Sequence, residues 1–296
     1  MFHPLPISHR EPLYRPPSEA RSLILQATIG CSWNRCSFCE MYTDRRFRPR
    51  PTDEVLAEIA AMARHPVRYR RVFLADGDAL VLSNRRLLPL LAAIREQLPW
   101  VTRVACYASP SNLLHKSPDE LAELRAAGLR LVYLGIESGD DEVLVHTAKG
   151  ATHAETVSAL QRAGTAGLKR SVMIINGLAG RDLSDRHADA SAALLNATQP
   201  EYVSVLALML HDDGRRHHAA FGPTWQALDD LELLLELRRM LAACELERSL
   251  FRSNHASNRL ALAGTLNRDR ARLIGEIDAV LNGARARLRP AAGLRL

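Results

Sequence analysis

The chain has 296 residues, of which 47% are hydrophobic and 24% charged, the proportions of a globular protein with a sizeable core. At roughly 150 residues per domain that makes about two domains, although an α/β barrel of ~250 residues counts as one. The net charge of +6 is modest, and the longest apolar runs, such as Leu231–Leu237, are short and broken by Glu, so membrane spans, a secretory leader, collagen and disorder are not expected and a cytoplasmic protein is.

Residues 1–20 carry Pro4, Pro6, Pro12, Pro16 and Pro17, which predicts an extended N-terminal arm. An alternation follows. Leu23–Ile29 reads as a buried strand, and Thr52–Arg64 as a helix capped by Thr52 or Asp53. Val72–Ala75 is a strand and Leu87–Leu98 a helix; Thr102–Tyr107 is a strand, and Pro118 opens a helix to Ala127 with Gly128 beyond it. Arg130–Ile136, Lys169–Asn176 and Tyr202–Leu208 complete six strands, with helical patterns at Asp141–His146, His153–Ala166 and Asp182–Ala197. Six short apolar strands separated by helices predict βα units and a parallel sheet. The expected fold is α/β, a partial (β/α)6 TIM-like barrel over residues 21–212. Residues 213–296 are read as a helical C-terminal extension packed on it, with helices in Trp225–Leu250 and Arg268–Asn282.

Polar residues cluster where such a barrel builds chemistry. Cys31, Asp76-Gly77-Asp78, Ser109, Glu137-Ser138, Asn176-Gly177 and His211-Asp212 fall at or just after the carboxyl ends of the six strands. Any one of them alone reads equally well as a turn or a cap.

Of five cysteines, Cys31, Cys36 and Cys39 lie within nine residues. A disulfide framework does not suit a chain of this length without a leader, so the three thiols point to a metal or an iron–sulfur cluster. Three thiolates can hold three irons of a four-iron cubane and leave the fourth open, the condition for a catalytic centre. Trp33, Phe38, Met41 and Tyr42 are placed to shield it, and Gly30 lets the chain turn at the strand end.

The loop Gly30-Cys31-Ser-Trp-Asn-Arg-Cys36-Ser-Phe38-Cys39 resembles that of the radical S-adenosylmethionine (radical SAM) superfamily, with a three-cysteine loop after the first strand of a partial barrel. Further matches are Asp76-Gly77-Asp78-Ala79-Leu80, Leu134-Gly-Ile-Glu137-Ser138-Gly139 and Ile174-Ile175-Asn176-Gly177. Phe251–Asn258 and Gly264-Thr-Leu are similar to a little-characterised branch. The spacing C-x4-C-x2-C is one residue longer than the usual one, and Asp78 stands for a longer Glu. The resemblance implies that Cys31, Cys36 and Cys39 bind a [4Fe–4S] cluster whose free iron chelates S-adenosylmethionine. It also implies SAM contacts from Phe38, Asp76, Gly77, Asp78, Ser109, Glu137, Ser138, Arg170 and Ile175, and reductive cleavage to a 5′-deoxyadenosyl radical that abstracts hydrogen from a substrate. A low-potential donor of the flavodoxin or ferredoxin type would be the partner.

Two other readings of the cysteines stay open at this point. One is a plant-type [2Fe–2S] electron carrier with Cys106 as fourth ligand. The other is a zinc-stabilised RNA-binding protein. His211 and Asp212 are candidates for proton handling, although His-Asp-Asp-Gly is also an ordinary turn. The arginine runs at 45–50, 68–71 and 215–216 read as solvated surface or as contacts to an anionic substrate, a small molecule being favoured over nucleic acid. His217 and His218 read as solvated, Cys106 as a small buried hydrophobe, Lys149-Gly150 as a helix cap, and Ser253–Asn258 as either caps or a polar patch.

Overall fold

The computed structural model describes residues 5–210 and 214–290; His211 and Asp212 lie outside them. The chain begins with β1 (Leu23–Gln26), β2 (Thr28–Ile29), β3 (Arg48–Pro49), α1 (Thr52–Arg64), β4 (Arg71–Ala75), α2 (Asn84–Gln97), β5 (Arg103–Ala108), α3 (Pro110–His115), α4 (Pro118–Ala127) and β6 (Leu129–Glu137). It continues through α5 (Asp141–His146), α6 (His153–Thr165), β7 (Lys169–Asn176), α7 (Ser184–Thr198), β8 (Tyr202–Ala207), α8 (Arg215–Phe221), α9 (Asp230–Ala243), β9 (Leu250–Ser253), β10 (Leu262–Thr265) and α10 (Arg270–Leu281). Eight strands form one sheet in the order β1-β4-β5-β6-β7-β8-β9-β10, and β2 pairs with β3 in a small second sheet. The order is linear, so the sheet is open, and β9–β10 is its antiparallel edge. The predicted six-strand alternation is present. No helix among the described residues is long and apolar enough to cross a membrane.

The chain divides into two compact units, the first made of residues 1–34, 40–134 and 161–170, the second of 35–39, 135–160 and 171–296. In the first, β1, β4 and β5 pair in parallel with continuous buried runs such as Phe73, Leu74, Ala105 and Cys106, as a sheet covered on both faces requires. The expected strand Leu23–Ile29 breaks at Ala27, which donates to the Ala75 carbonyl and accepts from the Arg50 amide; the chain changes partner there. α4 begins as predicted, with a capping box in which Ser117 and Glu120 exchange hydrogen bonds and Pro118 at the first position. α1 starts at Thr52, but Pro51 holds the cap position without a side-chain bond.

The N-terminal arm is tied down. The Arg10 amide donates to Gln26, His9 bonds the Ile24 carbonyl, and the wholly buried Glu19 accepts from Arg103, Ser22 and, at 2.5 Å, Tyr133. Nor is the arginine run 45–50 merely solvated: Arg45 is buried against Asp44, and Arg50 is paired with Glu58 at 2.9 Å.

In the second unit β7 and β8 pair in parallel, and β9 adds a further parallel strand. Helix was expected through Leu250, yet α9 ends at Ala243 and Leu250–Ser253 enters the sheet. Leu-Phe-Arg-Ser alternates exposed and buried, the period of a strand on a half-covered sheet. Ser253–Asn258 is therefore a loop after a strand: the Ser257 hydroxyl accepts from the Ala207 amide at 3.1 Å, and Asn258 donates to the Val205 carbonyl at 2.8 Å. These bonds secure the end of β8.

Candidate active site: the cysteine loop and the strand-end turns

In the first unit the loop start is pegged by Asp76, which follows β4. Its carboxylate, wholly buried, accepts from the Gly30 amide at 3.1 Å and from Gln26 at 3.3 Å. Burial pushes this carboxyl above the ordinary carboxylate value, opposed by those donors. Asp78, also buried, accepts from the Ser32 hydroxyl. Both acidic side chains of the predicted SAM-gripping turn thus also hold the loop. Gly77 lies under the Tyr42 ring, 2.5 Å from where a Cβ would stand, so no larger residue fits. The carbonyl of Tyr42 accepts from Asn34 at 2.8 Å, bracing the loop's middle.

Ser109 caps α3, its hydroxyl accepting from Asn112 at 3.2 Å. Arg170 is the second residue of β7, at the strand's amino end, and its guanidinium packs 2.7 Å from where a Cβ on Gly164 would stand. Cys106 is buried in β5 with its thiol pushed far up by desolvation, the state of a small hydrophobe rather than a ligand.

In the second unit the loop segment Arg35–Cys39 is clamped by α8. Arg216 donates to the Cys39 carbonyl at 3.0 Å and to the Cys36 carbonyl at 3.1 Å. His217 is not solvated, as expected, but fully buried, with Nε2 3.1 Å from the Leu178 carbonyl and Nδ1 3.0 Å from the Ser37 hydroxyl. A carbonyl only accepts, so Nε2 carries the proton and Nδ1 accepts from Ser37. Burial holds this imidazole down to about 4, so it is neutral. The Ser37 amide donates to the Thr147 carbonyl at 2.9 Å and the Cys39 amide to the Cys36 carbonyl at 3.2 Å.

Glu137 ends β6 with φ at 62° and folds its side chain back over Gly135, where a Cβ would collide with the carboxylate. Lys149 answers it at 2.9 Å, both side chains largely buried; Lys149 is thus a counter-ion and not only part of a cap. Ser138 bonds His187 of α7 at 2.8 Å, and the other ring nitrogen lies 3.7 Å from Glu236 of α9. Glu236 accepts from the Gly177 amide at 2.6 Å and from Ser184 at 2.5 Å. The turns after β6 and β7 are so joined through one buried polar network. Phe38 and Ile175, both expected at the cofactor, pack on one apolar cluster of Val143, Leu178 and Ala179.

Sequence reasoning missed Lys149, Arg216, His217, His187 and Glu236 as site residues. Only the charge run at 215–218 hinted at them.

The three cysteines are half-buried and none is in a disulfide. Among the described residues no group of three Cys, His, Asp or Glu side chains is placed to hold a metal ion. The donor set fits: three soft thiolate ligands on one braced loop suit an iron–sulfur cluster.

The family model of the radical SAM superfamily matches residues 25–193, and the chain belongs to that superfamily. Enzymes of that superfamily use a [4Fe–4S] cluster and S-adenosylmethionine. Among solved structures it resembles coproporphyrinogen III oxidase (HemN) from Escherichia coli, with TM-score 0.58, 16% identity, and 76% of this chain and 54% of that one covered. Methylornithine synthase (PylB) follows with TM-score 0.53, 18% identity and 76% and 63% coverage. The radical S-adenosylmethionine methyltransferase TsrM from Kitasatospora setae gives 0.51, 20%, and 63% and 36%. The chain thus spans between about a third and two thirds of the length of these proteins. At such identities they establish the fold, an unclosed version of the (β/α) barrel. A search of curated proteins finds no match.

Proposed function

We propose that the protein is a radical SAM enzyme acting on a small molecule, with Cys31, Cys36 and Cys39 as cluster ligands. The observation that carries this is the three-cysteine loop held on both sides, by Asp76 at Gly30 and by α8 at Cys36 and Cys39, within the matched family segment. When bound, the cluster and SAM supply a 5′-deoxyadenosyl radical by one-electron cleavage, and that radical abstracts hydrogen from substrate. The protein's own residues orient and shield. Asp76, Gly77 and Asp78 would hold the SAM amino group, and Asp76 also fixes the loop's first peptide. Glu137, paired with Lys149 at 2.9 Å, would present its carboxylate to SAM. Ser138 and the Glu236–Gly177 contact hold the two turns at fixed height, while Phe38 and Ile175 present apolar surface to adenine. A flavodoxin- or ferredoxin-type donor brings the electron.

The test is anaerobic reconstitution with iron and sulfide, followed by dithionite and SAM. Expected are about four irons per chain and 5′-deoxyadenosine by mass spectrometry. Cys36→Ala is expected to lose the iron with unchanged circular dichroism. Two irons, or zinc without SAM cleavage, would return the protein to an electron-carrier or scaffold role.

A further inference from the structure

β7, β8 and β9 run parallel and in register, with Met173 beside Ser204 and Ser204 beside Arg252. Side chains alternate across a strand, and burial tells the faces apart. Val172, Val203, Val205 and Phe251 are buried on one face, and the Asn176 amide, on that same face, reaches the Leu233 carbonyl of α9 at 2.8 Å. On the opposite face Met173, Ser204 and Leu206 are half-buried and Arg252 is exposed. Asn254 continues the alternation, exposed, just past the carboxyl end of β9.

Other arginines of this unit have carboxylate partners: Arg238 with Asp278, Arg239 with Asp189, Arg259 with Asp230. Arg252 has no hydrogen bond or ion pair among the described residues. A guanidinium standing unpaired on a half-apolar strand face is ready to donate hydrogen bonds to an anion. We propose that Arg252 and Asn254 bind the carboxylate of a small, largely apolar carboxylic acid, with Met173 and Leu206 against its apolar body. The fork of one guanidinium matches one carboxylate through two parallel hydrogen bonds. Phosphate sites are built instead from a helix N-terminus or a nest of amides. Neither the Met173–Ser204–Arg252 row nor the Ile175–Leu206 row above it carries a second cation, and the nearby Arg289 guanidinium is engaged by the carbonyls of Asn254 at 3.3 Å and His255 at 3.0 Å. The carboxyl ends of β7 and β8, at Asn176 and Ala207, are paired neighbours, and Asn254 lies just past the carboxyl end of β9, so the site lies towards the carboxyl ends of these three strands. That the acid is the substrate rests on the radical SAM reading; that the face binds it does not.

Isothermal titration of the reconstituted full chain with 4-phenylbutyrate and with 4-phenylbutyramide tests the site. The expected result is acid binding about tenfold tighter than amide binding in the wild type. Arg252→Met is expected to melt like the wild type, since the residue is exposed, and to bind acid and amide equally; Arg252→Lys restores part of the preference. Equal binding of acid and amide by the wild type, or an unchanged preference in Arg252→Met, overturns the proposal. So does a tenfold loss of SAM affinity in Arg252→Met, which would give the arginine to the SAM carboxylate. About four irons with no acid preference leaves the radical SAM reading standing alone, whereas an acid preference without iron leaves only the carboxylate site.

Discussion

Glu137 shows how single residues divide the labour in this site. A carboxylate at the end of a strand, 8% exposed, loses most of its hydration, which is costly without a paired cation. Lys149, twelve residues on, supplies the charge at 2.9 Å. Gly135 is the third member, because any Cβ there would occupy the space of the Glu137 carboxylate. Lys149→Met is expected to lower stability by about 2 kcal/mol in urea denaturation, the scale of a lost hydrogen bond to a charged group. It is also expected to weaken SAM binding, measured by equilibrium dialysis, because Lys149 no longer holds the Glu137 carboxylate in place.

Among the elements, α8 has a role out of proportion to its length. Seven residues, two of them histidines and two arginines, would not form a stable helix alone. Tertiary contacts hold it: His217 lies edge-on to Trp225 at 4.9 Å and tilted on Phe221 at 4.7 Å. Its polar atoms then brace Ser37, Cys36 and Cys39. Partners that orient metal ligands are worth about 10- to 100-fold in metal affinity. His217→Phe, which keeps the ring packing but loses both hydrogen bonds, and Arg216→Met are each expected to release iron on the order of tenfold faster during gel filtration with a chelator, while far-UV circular dichroism stays unchanged. Equal retention in both variants would show that the loop stands without its clamp.

At the scale of the whole chain, contacts distant in sequence hold the ends in place. Glu19, wholly buried, accepts from Tyr133 across 114 residues and from Arg103 across 84, and burial together with this carboxylate holds the Tyr133 phenol in its protonated form. Glu19→Gln keeps the shape but removes the charge that Arg103 answers. A loss of about 2 kcal/mol is expected, read as a lower Tm with an unchanged iron count after reconstitution.

What could be read from residues alone was whatever depends on local pattern. Apolar strands alternating with periodic helices, Ser117 with Pro118 opening α4, and three cysteines in one loop are short-range signals, and the parallel sheet and the superfamily follow from them. Spacing could not reveal pairings between distant residues. Lys149 is called to Glu137 by a glycine that leaves room for it; His217 is buried by rings from its own and following turns; Leu250–Ser253 becomes a strand because β8 offers an unpaired edge. Arg170 and Arg252 make the same point together. In sequence both are arginines in apolar surroundings, and only the tertiary structure sets one at the amino end of β7, buried against Gly164, and the other exposed on β9, because burial depends on which distant elements pack over each strand.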